Sequence, residues 1–406
     1  MTSNVVIVGG GLAGAKAAEA LRADGYEGSI TILTRESHAP YERPPLSKGY
    51  LMGKDDRESV FVHPLDWYAE HDIDLRREAE AVSVDSSAHT VTLADGSTLP
   101  YDKLLLATGS IPRRLSIPGA DLDGVFYLRE IDDSEAIKSA FAQSKSVVII
   151  GAGWIGLETA AAARAAGLDV TILEAAALPL VRIVGEQVGQ VFAELQRRNG
   201  VDLRLEVTVD ALVGAYGRVT GVQLADGSVI AADMVIVGVG ISPAVALAES
   251  AGLTVDNGIV VDEHLQTSDP DIFAVGDVAN AFNPRIGEHI RVEHWANALN
   301  MPAVAAKGML GQEAVYDRLP YFYSDQYDLG LEYVGYTAPG GFDEVVIRGD
   351  LDGGVFIAFW LREGRVLAGM NANIWDVVDP IRELIHRGTA VDSAALADES
   401  IELSAL

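Results

Sequence analysis

Two glycine-rich segments of equal spacing carry the clearest chemical signal in this sequence. One is VVIVGGGLAGAKAA at 5–18, and the other is VVIIGAGWIGLETA at 147–160. In such a pattern the first glycine permits a tight turn, the second lets the backbone approach a pyrophosphate, and the third lets a helix pack closely on a strand. Free amides and the helix dipole then hold the phosphates. The sequence therefore predicts two dinucleotide-binding loops, with glycines Gly9, Gly11 and Gly14 in the first and Gly151, Gly153 and Gly156 in the second.

Each loop stands between a short apolar strand and a helix-forming segment. The run SITIL follows the first helix and DVTIL follows the second, so each unit reads strand, glycine turn, helix, strand. A lone glycine pattern often marks only a turn, but this position favours dinucleotide binding. The turn LADGS also occurs twice, at 93–97 and 224–228, each time before an apolar strand. The repetition spans a whole domain and predicts two Rossmann-like folds.

The two copies differ where their ligands would differ. Glu174 follows DVTIL, where a carboxylate can bind the ribose diol of an adenosine. The same carboxylate would repel a 2′-phosphate, so we expect NADH to be preferred over NADPH. Two such folds in one chain most commonly serve one tightly held FAD and one exchangeable nicotinamide dinucleotide. Two identical sites are the disfavoured alternative.

Net charge limits the partners. The formal charge is −29, from 59 acidic and 30 basic side chains, and it repels nucleic acid phosphates and anionic lipid headgroups. No apolar run reaches the roughly 20 residues that a membrane-spanning helix needs. The start MTSNVVIVGGG enters a strand at once and does not resemble a signal peptide. We expect a cytoplasmic protein without nucleic acid or membrane partners.

The residue types also restrict the chemistry. The sequence contains no cysteine, which excludes disulfides, thiolate nucleophiles and Cys-ligated clusters on this chain. Its eight histidines show no ligand spacing such as HExxH, and no GxSxG elbow occurs. We therefore expect no metal, and redox chemistry on bound cofactors remains.

Four motifs together resemble the FAD-dependent NADH:ferredoxin reductases of the putidaredoxin and rhodocoxin reductase type. They are YERPPLSKGYL (41–51), GAGWIGLE (151–158), IFAVGDVA (272–279) and EHWANA (293–298). The resemblance implies an α/β fold with an FAD domain at 1–112 and 243–319, an NAD domain at 113–242 and a C-terminal α+β domain at 320–406. It also implies hydride transfer from NADH to FAD and then single-electron transfer to a [2Fe-2S] ferredoxin, which serves a cytochrome P450 or a ring-hydroxylating dioxygenase.

The resemblance assigns roles around FAD residue by residue. Diphosphate contacts fall to the first loop, adenine contact to a strand backbone, and flavin and ribityl contacts to residues distant in sequence. These residues are Gly9, Gly11, Ala13 and Gly14 for the diphosphate; Ala81 for adenine; Ala107, Thr108 and Gly109 at a strand end; Arg43, Lys48, Arg129, Glu293 and Trp295 toward the flavin; and Gly276 and Asp277 toward the ribityl or phosphate region.

One position departs from the family pattern. Arg35 stands where these reductases usually carry an acid after the second strand, and Glu36 follows it. Either Glu36 binds the ribose diol of FAD or Arg35 packs on the adenine. The sequence leaves both alternatives open.

On the NAD side the resemblance implies a catalytic ion pair between Lys48 and Glu158. It places Glu158 near the flavin, where a pair with Lys48 would position the nicotinamide without abstracting a proton. Ile155 and its neighbour Trp154 are expected to pack, with their backbone lining the nicotinamide path. Further cofactor contacts are expected from the loop glycines Gly151, Gly153 and Gly156, from Glu174, and from Gly238 and Gly240.

Other functions share this fold. A disulfide reductase or a peroxide-reducing enzyme would need a thiol relay, which a chain without cysteine cannot supply. A rubredoxin or other electron-carrier reductase shares the flavoprotein core and is separable only by its acceptor. A protein resembling apoptosis-inducing factor would couple NADH binding to association instead of turnover.

The expected ferredoxin presents an electrostatic difficulty, since such carriers are commonly acidic, as is this chain. Screening over roughly 8 Å at physiological salt allows a local basic patch to outweigh distant charge. The arginines expected to be exposed for this purpose are Arg113, Arg114, Arg285 and Arg291.

Overall fold

The computed structural model describes residues 4–406 and separates into two compact units. The first unit comprises the described residues up to Glu42 together with Asp56–Ile111 and Ile241–Pro320. The second comprises Arg43–Asp55, Pro112–Gly240 and Tyr321–Leu406. Among the described residues, no helix is both long enough and apolar enough to span a membrane.

The strands, in chain order, are β1 (Asn4–Val8), β2 (Ser29–Leu33), β3 (Ile73–Arg76), β4 (Ala81–Asp85), β5 (Thr90–Leu93), β6 (Thr98–Pro100), β7 (Lys103–Leu106), β8 (Ser110–Pro112), β9 (Val125–Tyr127), β10 (Ser146–Ile150), β11 (Asp169–Leu173), β12 (Asp202–Arg204), β13 (Val209–Ala215), β14 (Arg218–Leu224), β15 (Val229–Ala231), β16 (Met234–Val237), β17 (Ile241–Pro243), β18 (Ile259–Val261), β19 (Ile272–Ala274), β20 (Ala279–Asn283), β21 (Glu288–Ile290), β22 (Tyr321–Gln326), β23 (Leu329–Gly335), β24 (Glu344–Asp350), β25 (Val355–Arg362) and β26 (Arg365–Ala372).

The α-helices are α1 (Leu12–Ala23), α2 (Leu65–Glu70), α3 (Ile131–Phe141), α4 (Trp154–Ala165), α5 (Val181–Arg198), α6 (Ala246–Ser250), α7 (Trp295–Met309), α8 (Val378–Arg387) and α9 (Ser393–Ala397). Short 3₁₀ helices are Pro44–Ser47, Arg57–Val60, Gly276–Val278 and Leu403–Ala405.

The first unit is built on a parallel sheet of order β19-β7-β1-β2-β3. Its central strands read VVIV and LLL, and these side chains are buried. Such continuous apolar runs are typical of parallel strands that are covered on both faces. Helices α1 and α7 pack against each other in this unit.

The second unit repeats this sheet with the order β12-β11-β10-β16-β9, again parallel. It also contains an antiparallel sheet of order β22-β23-β26-β25-β24, on which α8 packs. The predicted α/β class, with two Rossmann-like sheets and a C-terminal sheet region, is confirmed. The division into three domains stays a prediction.

Both copies of LADGS form the predicted hairpin turn, between β5 and β6 and between β14 and β15. In the first, Asp95 accepts hydrogen bonds from the amide and hydroxyl of Ser97, at 2.8 and 2.6 Å. In the second, Asp226 accepts the same pair from Ser228, at 2.9 and 2.6 Å. These bonds lower the pKa of both aspartates. The repeated sequence therefore encodes a repeated turn.

The segment Arg43–Asp55 packs with the second unit although its neighbours in sequence belong to the first. The hydroxyl of Ser134, in α3, donates to the carbonyl oxygen of Leu46 over 2.9 Å. The Tyr50 hydroxyl donates to Glu135 Oε1, also in α3, over 2.6 Å. These anchors place Lys48 in the same unit as Glu158.

Candidate cofactor sites

The first glycine loop connects β1 to α1. Gly9 has φ +131°, and a Cβ there would lie 2.1 Å from the carbonyl oxygen of Ala107. A Cβ on Gly14 would lie 2.0 Å from the carbonyl oxygen of Gly9. A Cβ on Gly11, in contrast, would meet no atom within 4 Å. The fold itself requires the outer two glycines, while the middle one borders open space.

The second loop, from β10 to α4, repeats this arrangement. Gly151 has φ +102°, and a Cβ there would lie 2.4 Å from the carbonyl oxygen of Gly238. A Cβ on Gly156 would lie 2.1 Å from the carbonyl oxygen of Gly151, and one on Gly153 would again meet nothing within 4 Å. The three roles predicted from the sequence are therefore matched sterically in both loops.

Both loops lead into helices without a side-chain cap. Gly11 and Gly153 are the N-cap residues of α1 and α4, and neither helix receives a side-chain hydrogen bond at this end. The first-turn amides lack intrahelical acceptors, and they attract anions together with the helix dipole. Open space beside the middle glycine and uncapped amides together fit a dinucleotide diphosphate at each loop.

Glu174 lies directly after β11 and is fixed beside the second loop. Its Oε2 accepts a hydrogen bond from the amide of Ala152 over 2.6 Å, and its Oε1 accepts one from the amide of Ala176 over 2.8 Å. A carboxylate held next to the glycine loop stands where the fingerprint expects a ribose partner. This geometry supports the predicted role of Glu174.

The first unit carries a different residue at the corresponding point. In the two sheets Val8 pairs with Leu33 and Ile150 pairs with Leu173, so Thr34 corresponds to Glu174. Glu36 is half-buried and accepts a hydrogen bond from the Tyr41 hydroxyl over 2.5 Å, whereas Arg35 is exposed. Whether Glu36 or Arg35 contacts the adenosine of FAD stays open.

Residues predicted around FAD converge near the first loop. A Cβ on Gly276 would lie 3.5 Å from the Cβ of Ala13, so the Gly276–Val278 turn is next to the start of α1. The Ala107 amide donates to the Val8 carbonyl oxygen over 2.8 Å. Three further predicted residues take these positions in the first unit: Ala81 begins β4, Thr108 donates through Oγ1 to the Ala244 carbonyl over 2.8 Å, and Gly109 has φ +66°.

The segment before α7 forms a second group in the first unit. Trp295 donates through Nε1 to Glu42 Oε2 over 3.1 Å. Arg291 pairs with Glu293 at 2.5 Å and donates to the carbonyl oxygen of Asp277 over 3.2 Å. Arg291 therefore links Asp277 with Glu293, and Trp295, two residues after Glu293, is held separately by Glu42. The contacts of Asp277, Glu293 and Trp295 with FAD stay predictions.

Two of the arginines expected to be exposed are engaged in ion pairs. The side chain of Arg291 is only 8% exposed and pairs with Glu293, so the expectation of exposure was wrong for Arg291. Arg285 pairs with Asp317 at 2.6 Å. The Arg285 side chain is nevertheless 45% exposed, so the expectation failed only for Arg291, because it did not take account of the acid beside that guanidinium.

His294 is the N-cap residue of α7. Burial lowers the pKa of His294 to about 4, and the nearby charge of Asp277 opposes the shift only partly. A positive charge at a helix N-terminus is unfavourable as well. His294 is therefore neutral at physiological pH.

The predicted pair of Lys48 and Glu158 forms within the second unit. Lys48 Nζ lies 2.8 Å from Glu158 Oε1, and the Glu158 side chain is 3% exposed. The Ser47 hydroxyl donates to Oε2 of the same carboxylate, and the Ser324 hydroxyl donates to Oε1 over 2.7 Å. A buried charge of this kind persists only when it is paired and hydrogen-bonded.

The Tyr323 ring adds an aromatic face to this group, since Lys48 Nζ lies 5.5 Å from its centroid. Sequence reasoning found Lys48 and Glu158 but missed Ser47 and Ser324. Ser47 immediately precedes Lys48, and that adjacency was the available signal. Ser324 is 166 residues from Glu158 and gave none.

The remaining predicted residues lie elsewhere in the second unit. Arg43 donates through Nη1 to the carbonyl oxygen of Arg129. Trp154 packs on Phe192 and Phe322, with centroids 5.4 and 5.0 Å apart. Ile155 is 43% exposed, so its expected packing was wrong: it lies at the uncapped start of α4. Gly238 and Gly240 lie in the short loop that follows β16, where Gly240 has φ +101°.

Comparison with known proteins agrees with these two loops. The profile of the pyridine nucleotide-disulphide oxidoreductase family matches residues 3–301. The chain belongs to this family. A reductase C-terminal family profile matches residues 321–406. The chain is thus an oxidoreductase whose cofactors are FAD and NAD(H), as predicted.

Individual relatives match over most of their length. Rhodocoxin reductase of Rhodococcus erythropolis is 42% identical over 91% of this chain and 86% of its own. The ferredoxin–NAD(+) reductase component of the anthranilate 1,2-dioxygenase system of Burkholderia cepacia is 40% identical over 98% of both chains. The structure of a covalent putidaredoxin reductase–putidaredoxin complex matches with a TM-score of 0.95 and 38% identity, over 99% of this chain and 97% of that chain. The family resemblance inferred from the motifs is confirmed.

Proposed function

We propose that this protein is an NADH-dependent ferredoxin reductase, which takes electrons from NADH and delivers them singly to a [2Fe-2S] ferredoxin. That ferredoxin serves a cytochrome P450 or a ring-hydroxylating oxygenase. The observation that carries the proposal is the presence of two complete glycine loops with different residues at the ribose position. The relatives described above act in the same kind of system.

Bound FAD would supply the chemistry that joins a two-electron donor to one-electron acceptors. The residues of this chain would bind and orient the reactants. The first loop, with Gly9, Gly11 and Gly14, would hold the FAD diphosphate, and the second would hold that of NADH. Glu174 would hold the adenosine ribose of NADH. Such positioning is a large part of what a protein contributes to hydride transfer.

Lys48 and Glu158 would fix the charge around the nicotinamide. The carboxylate has three partners at hydrogen-bond distance, so its position and that of the ammonium group are well defined. Preorganised charges of this kind stabilise a transition state without reorganising during the reaction. The proposal gives the pair no proton to abstract.

The first experiment adds NADH anaerobically to the purified protein and follows the visible spectrum. We expect prompt bleaching of a bound flavin, followed by reoxidation when a [2Fe-2S] ferredoxin is added. Faster reoxidation by rubredoxin than by any ferredoxin would favour a rubredoxin reductase. A flavin that stays oxidised, with an NADH-dependent change in oligomer size, would favour the binding protein resembling apoptosis-inducing factor.

The pair itself is tested with Glu158→Gln, which keeps hydrogen-bonding oxygen and removes the charge. We expect the limiting rate of flavin reduction to fall about tenfold, or about 1.4 kcal/mol in activation free energy. Glu194→Gln, on the exposed face of α5, is the matched control. An unchanged rate in Glu158→Gln would remove the pair from the mechanism.

We also place the reaction in the cytoplasm, because NADH is a coenzyme of the cell interior and the reaction consumes it. Cell fractionation with an antibody to the protein tests this location. Recovery of the protein chiefly outside the cytoplasmic fraction would contradict it.

A further inference from the structure

The Lys48–Glu158 pair has a partner from the C-terminal region of the chain. Ser324, in β22, is 1% exposed, and its hydroxyl donates to Glu158 Oε1 over 2.7 Å. Lys48 Nζ lies 2.8 Å from this same oxygen, while the Ser47 hydroxyl donates to Oε2. Each carboxylate oxygen is therefore held by one hydroxyl. Rotation of the carboxylate would break both of these bonds.

We propose that Ser324 is a positioning residue for NADH oxidation, which acts by holding Glu158 and through it Lys48. The inference rests on the proposed function for the reaction it serves. It extends that function by assigning β22, in the region that follows the second glycine-loop fold, a part in orienting the Lys48–Glu158 pair. Neither the glycine loops nor the motif RPPLSK implies such a contribution.

Two buried side-chain amides next to Ser324 support the proposal. Gln326 and Gln196 are 1% and 0% exposed, and Gln196 Nε2 donates to Gln326 Oε1 over 3.0 Å. The Tyr327 hydroxyl donates to Gln196 Oε1 over 2.9 Å. Gln326 Nε2 approaches Ser324 Oγ at 3.4 Å, a longer and weaker contact. A polar chain thus continues from Glu158 through β22 to α5.

These hydrogen-bonded polar side chains lie beside a large apolar cluster that includes Leu157, Phe192 and Leu195. Well-packed apolar residues in place of a buried polar network are often neutral or stabilising. Packing between α4, α5 and β22 therefore does not require these polar groups. Precise orientation of one carboxylate does require them, because a fully satisfied network holds its members in a single arrangement.

The test compares Ser324→Ala with Ser324→Thr, which keeps the hydroxyl, and with Thr159→Val as a matched control. Thr159 is buried next to Glu158, but its hydroxyl bonds only backbone carbonyls of its own helix. In Ser324→Ala we expect the limiting rate of flavin reduction by NADH to fall five- to tenfold. We expect Ser324→Thr and Thr159→Val to stay within twofold of the original rate.

Two further measurements separate positioning from a merely structural role. The dissociation constant of NAD⁺, from calorimetry on the oxidised holoprotein, should change less than twofold in Ser324→Ala. In a Glu158→Ala background, the Ser324→Ala change should have no further effect on the rate. A large loss of NAD⁺ affinity, or full additivity with Glu158→Ala, would overturn the proposal. The additivity test holds even where Ser324→Thr fails to fold.

Hydrogen exchange gives a readout that does not depend on the reaction. The amides of Arg43–Asp55 should exchange several-fold faster in Ser324→Ala than in the original protein or in Thr159→Val, because Glu158, the partner of Lys48, is no longer held in one orientation. A failure of NADH to reduce the original protein would refute the proposed function alone. Unchanged exchange in this segment would refute the positioning role of Ser324.

Discussion

The loops at 9–14 and 151–156 are built alike, yet the chain treats the residue after the next strand differently. In the second loop Ala152 donates its amide to Glu174. In the first, Gly10 stands against Thr34, and a Cβ on Gly10 would lie 2.3 Å from the Thr34 Cβ. The steric requirements of the turn are therefore shared, whereas the residue at the predicted ribose position differs between the copies. Shared features report the fold, and differing ones report the ligand.

The two sheets also differ in how they are completed. In the second unit the edge strand β9 precedes β10 in sequence, whereas in the first unit β19 comes long after β1. Residues 112–240 are inserted before the first sheet receives its last strand. The strand that completes the first sheet, β19, therefore follows the whole second fold in sequence. The first parallel sheet is thus split in sequence, whereas all strands of the second lie within residues 112–240.

The largest expected effect comes from substituting the middle glycine of each loop. At Gly11 and Gly153 a Cβ would meet no protein atom within 4 Å, so alanine should leave the fold intact. We expect Gly11→Ala to weaken FAD binding at least a hundredfold, and Gly153→Ala to keep FAD but lose reduction by NADH. The measurements are flavin content and the NADH dependence of the reduction rate. Equal effects of both changes on flavin content would contradict the assignment of ligands to loops.

Acid should affect the first unit more than the second. The pKa of His294 is lowered to about 4 in the folded protein, while the unfolded chain has the ordinary value near 6.5. The unfolded state therefore binds a proton between these values, and the free energy of unfolding falls as pH falls from 6.5 toward 4. We expect a loss of about 2 kcal/mol between pH 6.5 and pH 4.5, since one pKa unit corresponds to about 1.4 kcal/mol.

Denaturant unfolding between pH 7 and pH 4.5 measures this loss. His294→Gln should flatten the pH dependence, because a neutral side chain binds no proton in either state. His386, in α8, is the one histidine of the second unit, and His386→Gln is the matched control. The prediction fails where both variants keep the original slope.

Glu174 should determine the preference of the second loop for NADH over NADPH. We expect kcat/KM to be at least tenfold higher for NADH than for NADPH, because the fixed carboxylate would face the 2′-phosphate. Glu174→Ala should narrow this ratio, chiefly by improving the use of NADPH. Glu206→Ala, in the same unit, is a control for loss of an acid. Equal efficiency of the original protein with both coenzymes would remove Glu174 from the ribose site.

Much of this architecture was predictable because it depends on local chain properties. The glycine loops, both LADGS turns and the acid after β11 are set by residues within about one strand–turn–helix unit. The pair of Lys48 and Glu158 was predictable only through the family resemblance, since 110 residues separate its members. Local signals thus identified both dinucleotide folds but only part of the site.

The rest depends on tertiary packing. The segment Arg43–Asp55 reads as part of the first fold, but its anchors, Ser134 and Glu135, lie in α3 of the second unit. Ser324 and Gln196 read as ordinary polar residues, and only folding buries them together. The predictions that Ile155 is packed and that Arg291 is exposed failed for the same reason, because neighbours distant in sequence decide whether a side chain is covered.

The smallest expected effect concerns Arg35 and Glu36, the two candidates for the adenosine contact of FAD in the first unit. Glu36 is held by the Tyr41 hydroxyl and is half-buried, so its carboxylate is the better-fixed group of the two. If it binds the ribose diol, Glu36→Gln should weaken FAD binding by about 1 kcal/mol, the value of a typical hydrogen bond. Arg35→Met keeps an aliphatic stem for packing on adenine and should then change little. Titration of the apoprotein with FAD measures both, and a larger loss in Arg35→Met than in Glu36→Gln would assign the adenosine contact to Arg35.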